Sequence, residues 1–222
     1  MCFSVEASFG AGIVLSVIGI ASIKKVQSPS QIAFASIPLI FSVQQITEGF
    51  LWLALSNPVY ASLQQVTTYT FLFLAQIVWP LWVPLAILLV EKKDKRKTTQ
   101  KLLVAIGVVL SFYLAYCLLS YNVQAKIIGF HISYEQDYPV RLSLVVEVIY
   151  FIATITPPFF STIKRMWLLG VAILISYIIT IEFYEDYFVS VWCFFASVIS
   201  ILVFVIMHGI KKSHKKPLYA GD

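Results

Sequence analysis

The residues with the most chemical potential in this chain sit in apolar surroundings. Gln44-Gln45-Ile46-Thr47-Glu48-Gly49-Phe50-Leu51-Trp52 interrupts an otherwise hydrophobic run. On a helix, Gln45, Glu48 and Trp52 share one face, and Gln44 pairs with Glu48 at i, i+4. A second group, Glu147, Tyr150 and Thr154, shares a face on a later apolar run. A charged side chain at the centre of a membrane helix costs about 2.5–3.5 kcal/mol on insertion scales, so each such carboxylate is a candidate site residue. If Glu48 and Glu147 face each other, they could share a proton or hold a cation, with one pKa raised. The amides of Gln44 and Gln45 and the phenols of Tyr113 and Tyr150 would orient what they hold. The competing reading is polar glue between helices, with Trp52 an interfacial anchor. The spacing names no reaction.

Weaker candidates surround this pair. Glu6 falls in the first turn of an apolar run behind Ser4, where capping and the helix dipole explain it. A sharper reading puts Cys2, Ser4 and Glu6 at the rim of a pocket, with Cys2 as a nucleophile or soft-metal ligand. No histidine is close in sequence to activate it. Glu182-Phe183-Tyr184-Glu185-Asp186-Tyr187 would attract a cation, or is a solvated turn with an aromatic belt. His131, His208 and His214 are too scattered to converge on one metal. There is no HExxH, P-loop, GxSxG or dinucleotide fingerprint. The seventh apolar run lacks a lysine for a retinal Schiff base. Catalytic residues, metal ligands, a cofactor and an oligomeric state are therefore not assigned.

The elements that must position these groups follow from composition. The 222 residues are 59% hydrophobic and 12% charged. A soluble domain carries about 25% charge, so lipid is the expected solvent. Seven apolar runs are long enough to cross it: Ser4–Ile23, Ile32–Leu55, Val66–Val90, Leu102–Leu119, Arg141–Phe160, Trp167–Phe183 and Phe188–Gly209. The predicted fold is an all-α, polytopic seven-helix bundle forming one domain over 1–222. Pro80 and Pro84 are expected to kink the third span. Pro157-Pro158 is expected to end or bend the fifth. The first run has no basic residue before it and reads as a retained helix rather than a cleaved signal.

Charge sets the expected orientation. Fourteen of the sixteen bases lie in alternate breaks and the C-terminal tail, among them Lys24, Lys25, the run from Lys92 to Lys101, Lys164 and Arg165. The positive-inside rule then puts the N-terminus outside and the C-terminus in the cytoplasm. Bases confined to short loops report topology, so nucleic acid is not an expected partner; the lipid bilayer is. Eight of eleven acids fall on the outer side.

Polar residues gather in the outer halves of the spans, while the inner halves are Ile, Val, Leu, Ala and Phe. That pattern fits a blind pocket facing outward better than a channel, which needs polar lining throughout. The expected function is binding of a small cationic or polar ligand, a proton or a metal ion, in sensing or transport. The alternative is a membrane-embedded enzyme acting on a lipid or membrane-borne substrate at the outer leaflet, with Glu48 or Glu147 as general acid or base.

Met1-Cys2-Phe3-Ser4, Ala7-Ser8-Phe9 and Gln44-Gln45…Glu48-Gly49…Trp52 also carry a resemblance. The chain resembles an uncharacterised family of bacterial membrane proteins that open on MCFSxxASF and carry QQxxEGxxW in the second helix. The resemblance implies a multi-pass protein of the bacterial inner membrane. It implies no activity.

Overall fold

A computed structural model describes residues 4–139, 143–184 and 195–215. Helix dominates, in the order α1 (Val5–Ile23), α2 (Ile32–Ala35), α3 (Ile37–Ser56), α4 (Gln64–Leu72), α5 (Trp79–Val90), α6 (Asp94–Ser120), α7 (Ser143–Ile155), α8 (Met166–Tyr184) and α9 (Ala196–Lys215). Four helical runs are long and apolar enough to cross a membrane: Val5–Ile23, Pro29–Ser56, Pro58–Val90 and Asp94–Ser120. They mark the chain as a membrane protein. Ser143–Ile155, Met166–Glu182 and Ser197–Lys211 are apolar but shorter. The first third of the expected seventh span, residues 188–194, lies outside the described residues, as do Cys2, Glu185, Asp186 and Tyr187.

Local chemistry sets several boundaries. Ser4 caps α1 by accepting from the Ala7 amide at 3.2 Å, with Glu6 in the first turn. The buried face of α1 is Ser8, Gly12, Leu15, Gly19 and Ser22. Small residues at that spacing let α3 approach closely. A Cβ on Gly12 would meet Ile46 at 2.6 Å, and one on Gly19 would meet Leu39 at 2.5 Å. The Ser42 hydroxyl, 2.6 Å from the Ser16 hydroxyl, donates across this seam to the Gly12 carbonyl at 2.7 Å.

The third span, where Pro80 and Pro84 raise the expectation of a kink, is irregular in its helical pairing. A π-helical segment, Phe73–Val78, joins α4 to α5 two residues before Pro80. α6 passes so close behind it that a Cβ on Gly107 would lie 2.0 Å from the Pro80 carbonyl oxygen. The Ser111 hydroxyl donates to the Ile77 carbonyl at 2.8 Å in the same contact.

Two expectations need correction. The charge run 94–101, read as a break, is the start of α6. Lys, Arg and Gln are good helix formers, and Asp94 in the first turn pairs with Lys97 at 3.0 Å. The second correction is to the all-α class. Residues 123–136 form an antiparallel hairpin, β1 (Val123–Ile128) and β2 (His131–Gln136). Gly129, at φ 61°, supplies the positive dihedral of its two-residue turn. Alternate residues point inward: Ala125 and Ile132 are buried against Leu51 and Trp52, and Tyr134 stacks on Phe71 with centroids 4.9 Å apart. The hairpin thus covers one end of the bundle, while burial pushes the Tyr138 phenol just beyond it well above the ordinary tyrosine range.

At the opposite end lies the main apolar core, where α2, α5, α8 and α9 meet through Phe34, Ile87, Met166, Ile206 and Met207. The core there is apolar, while buried Gln31, Glu91 and Gln100 lie at the connections beyond it.

Candidate functional site

A cavity of about 400 Å³ lies between α3, the π segment, α5, α6, α7, α8 and α9. Gln44 lines it from α3 and Gln76 from the π segment; Glu147, Tyr150 and Thr154 line it from α7; Tyr177 lines it from α8. The rest of the wall is apolar, including Ile37, Val83, Leu169 and Ile173. Gln44, Glu147 and Tyr150, three residues singled out from sequence, therefore meet in one space. Helical periodicity brings Glu147, Tyr150 and Thr154 to the same wall.

Most of these polar groups are held by named partners. Trp79 Nε1 donates to Gln44 Oε1 at 2.8 Å, and the Trp79 ring stacks on Phe41 with centroids 4.0 Å apart. The Tyr150 hydroxyl donates to the Ala75 carbonyl at 2.6 Å. Thr154 Oγ1 donates back to the Tyr150 carbonyl at 2.7 Å. Gln76 Nε2 donates to Gln136 Oε1 at 2.7 Å, and its Oε1 accepts from the Tyr138 hydroxyl at 3.2 Å. Gln76 thereby fastens the hairpin to the cavity wall. Glu147 is exposed on α7 while it lines the cavity.

Other candidates lie elsewhere. Glu48 and Gln45 are buried on α3, at 0% and 1% exposure, and Gln45 Nε2 donates to Glu48 Oε2 at 3.2 Å. Neither is among the described residues that line the cavity. Trp52 is buried beneath the hairpin with Leu51, Ala125 and Ile132. Glu6 is exposed at the start of α1, Tyr113 is half-buried on α6, and Glu182 is exposed near the end of α8. Cys2 lies outside the described residues. Among the described residues, no group of three His, Cys, Asp or Glu side chains could hold a metal ion.

Sequence reasoning missed one carboxylate. Glu91, at the end of α5, is 3% exposed. Its Oε1 accepts from the amides of Lys92 (3.0 Å) and Lys93 (3.1 Å) and from the Thr162 hydroxyl. Its Oε2 accepts from the Ser161 hydroxyl at 3.0 Å and the Thr162 amide at 2.7 Å. Burial raises the pKa of such a group; the donors from Thr162, Lys93 and Ser161 outweigh it and hold Glu91 below the ordinary carboxylate value. Glu91 thus ties the α5–α6 connection to the α7–α8 connection. Gln100 reinforces the tie by donating to the Pro157 carbonyl at 2.9 Å. The one signal in the sequence was an acid opening a run of bases.

The chain belongs to a family of unknown function, DUF6629, whose model matches residues 1–217. No curated protein and no solved structure matches it.

Proposed function

We propose that this protein is a seven-span bundle of the bacterial inner membrane whose central cavity binds a ligand carrying a cationic or polar group, in a sensing or transport role. The observation that carries the reading is the meeting of Gln44, Glu147 and Tyr150 on the wall of one cavity of about 400 Å³. That volume lies within the range of small-molecule sites, which pair apolar walls with a few placed polar groups. Glu147 supplies charge, and Gln44 and Tyr150 supply oriented dipoles. The orientation we favour keeps the N-terminus outside and the C-terminus in the cytoplasm. It is supported by Ser28, Gln31, Lys92, Lys97 and Ile163, which border one pocket at the end opposite the hairpin. The base-bearing connections therefore share a side, as cytoplasmic loops do.

The test is ligand-dependent stabilisation of the purified protein in lipid nanodiscs. Ethanolamine, choline and tetraethylammonium are each titrated against the melting temperature. A ligand at 100 times its Kd adds about 2.7 kcal/mol of stability. We expect saturable stabilisation of the wild type, most of it lost in Glu147→Gln and less in Glu48→Gln. A wild type that none of the three stabilises, or a Glu147→Gln protein stabilised as strongly as wild type, overturns the reading.

A further inference from the structure

The way into the cavity restricts what can occupy it. Glu147 on α7 and Ile181 on α8 line the cavity and are also exposed. Around them, Leu144 is 71%, Val148 50% and Ile178 55% exposed. Exposed apolar side chains on the helices of a membrane protein face lipid tails, because water would penalise them. The cavity therefore opens sideways, between α7 and α8, with a carboxylate at its mouth.

Gln76, Glu147 and Tyr177 line the half nearer the hairpin beside Leu114, Val146 and Ile181, and Ile37, Val83 and Leu169 line the half farther from it. A hydrated ion arriving through a lipid-facing mouth would have to shed water into hydrocarbon, at high cost. A ligand with a long apolar part avoids that cost, and its cationic end neutralises a carboxylate that is expensive to keep beside lipid. A cavity of about 400 Å³ is of small-molecule size, which suits one alkyl chain with its head.

We infer that the cavity takes a single-chain cationic amphiphile from the bilayer, entering between α7 and α8, with its head at Glu147 and its chain along Val83, Leu169 and Ile173. The inference rests on the ligand-binding reading above and adds the class of ligand and its route.

A decylammonium bearing a terminal diazirine tests it in nanodiscs of zwitterionic lipid. After photolysis, labelled residues are mapped by mass spectrometry. Labels are expected at Val83, Leu169 or Ile173, competed by unlabelled decylammonium. Glu147→Gln should reduce them at least tenfold. Equal labelling by the matching decanoate probe overturns the cationic head. Labels confined to Leu144, Val148 and Ile178 overturn chain entry. If the cavity stays unlabelled while choline or ethanolamine still stabilises the protein through Glu147, the amphiphile is wrong and the ligand-binding reading stands. A variant that unfolds is replaced by Ile173→Trp, which fills part of the cavity beside Leu169 and must also abolish labelling at Val83 and Leu169.

Discussion

The Tyr150 hydroxyl and the Ala75 carbonyl are 2.6 Å apart, and this bond answers a vacancy made five residues on. In π pairing a carbonyl looks to the amide at i+5. For Ala75 that residue is Pro80, which has no N–H. Tyr150 supplies the missing donor from α7. The phenol expected to orient a ligand also secures the segment that shapes the cavity. Tyr150→Phe should cost about 1–3 kcal/mol, the penalty of a buried acceptor left unpaired. Pro80→Ala restores a backbone donor, so the cost of Tyr150→Phe should shrink in that background. Thermal melts of the four proteins decide it, and strict additivity would contradict the account.

Gly107 permits the contact between α5 and α6. Its hypothetical Cβ falls 2.0 Å from a backbone oxygen, that of Pro80, which cannot swing aside as a side chain would. Gly107→Ala should therefore destabilise by about 3 kcal/mol or more, at or beyond the usual cost of overpacking. Gly10 on α1 has nothing within 4 Å of the same position. Gly10→Ala should be neutral or stabilise by up to about 1 kcal/mol. Melting temperature and the monodisperse yield after extraction compare the two.

Glu91 predicts a pH dependence with a definite sign. Its folded pKa lies below the ordinary value of 4.5. The stability it contributes is therefore complete above about pH 4.5 and is lost as pH falls through the lower folded value. Glu91→Gln should flatten that part of the profile. It should also lower stability at neutral pH by about 1–3 kcal/mol, because donors around the site lose a charged acceptor. Melts of both proteins between pH 3 and 7 measure it. A wild-type profile that the substitution leaves unchanged in shape refutes the assignment.

How far the sequence could be read depended on whether the signal was local. Apolar run length disclosed the long spans, and the 3.6-residue period grouped Glu147, Tyr150 and Thr154 on one wall. The meeting of that wall with Gln44 depends on how helices far apart in the chain pack, which no spacing encodes. Glu48 illustrates the limit. Gln44 and Glu48 share a face one helical turn apart, yet that turn of rise along α3 leaves Gln44 at the cavity and Glu48 bonded to Gln45. The hairpin was written locally, as alternating residues around Gly129, but its hydrophobic strands are short beside the spans and read as loop. Glu91 was hidden because its partners, Ser161 and Thr162, lie about seventy residues downstream.

The bond set around Glu91 has a mechanical consequence. It clasps two connections together at one end of the bundle, so the helices leaving them share a common pivot. A small rotation about a pinned end moves the far end most, in proportion to the lever arm. Glu147, Ile178 and Ile181 stand on the arms distant from that pivot.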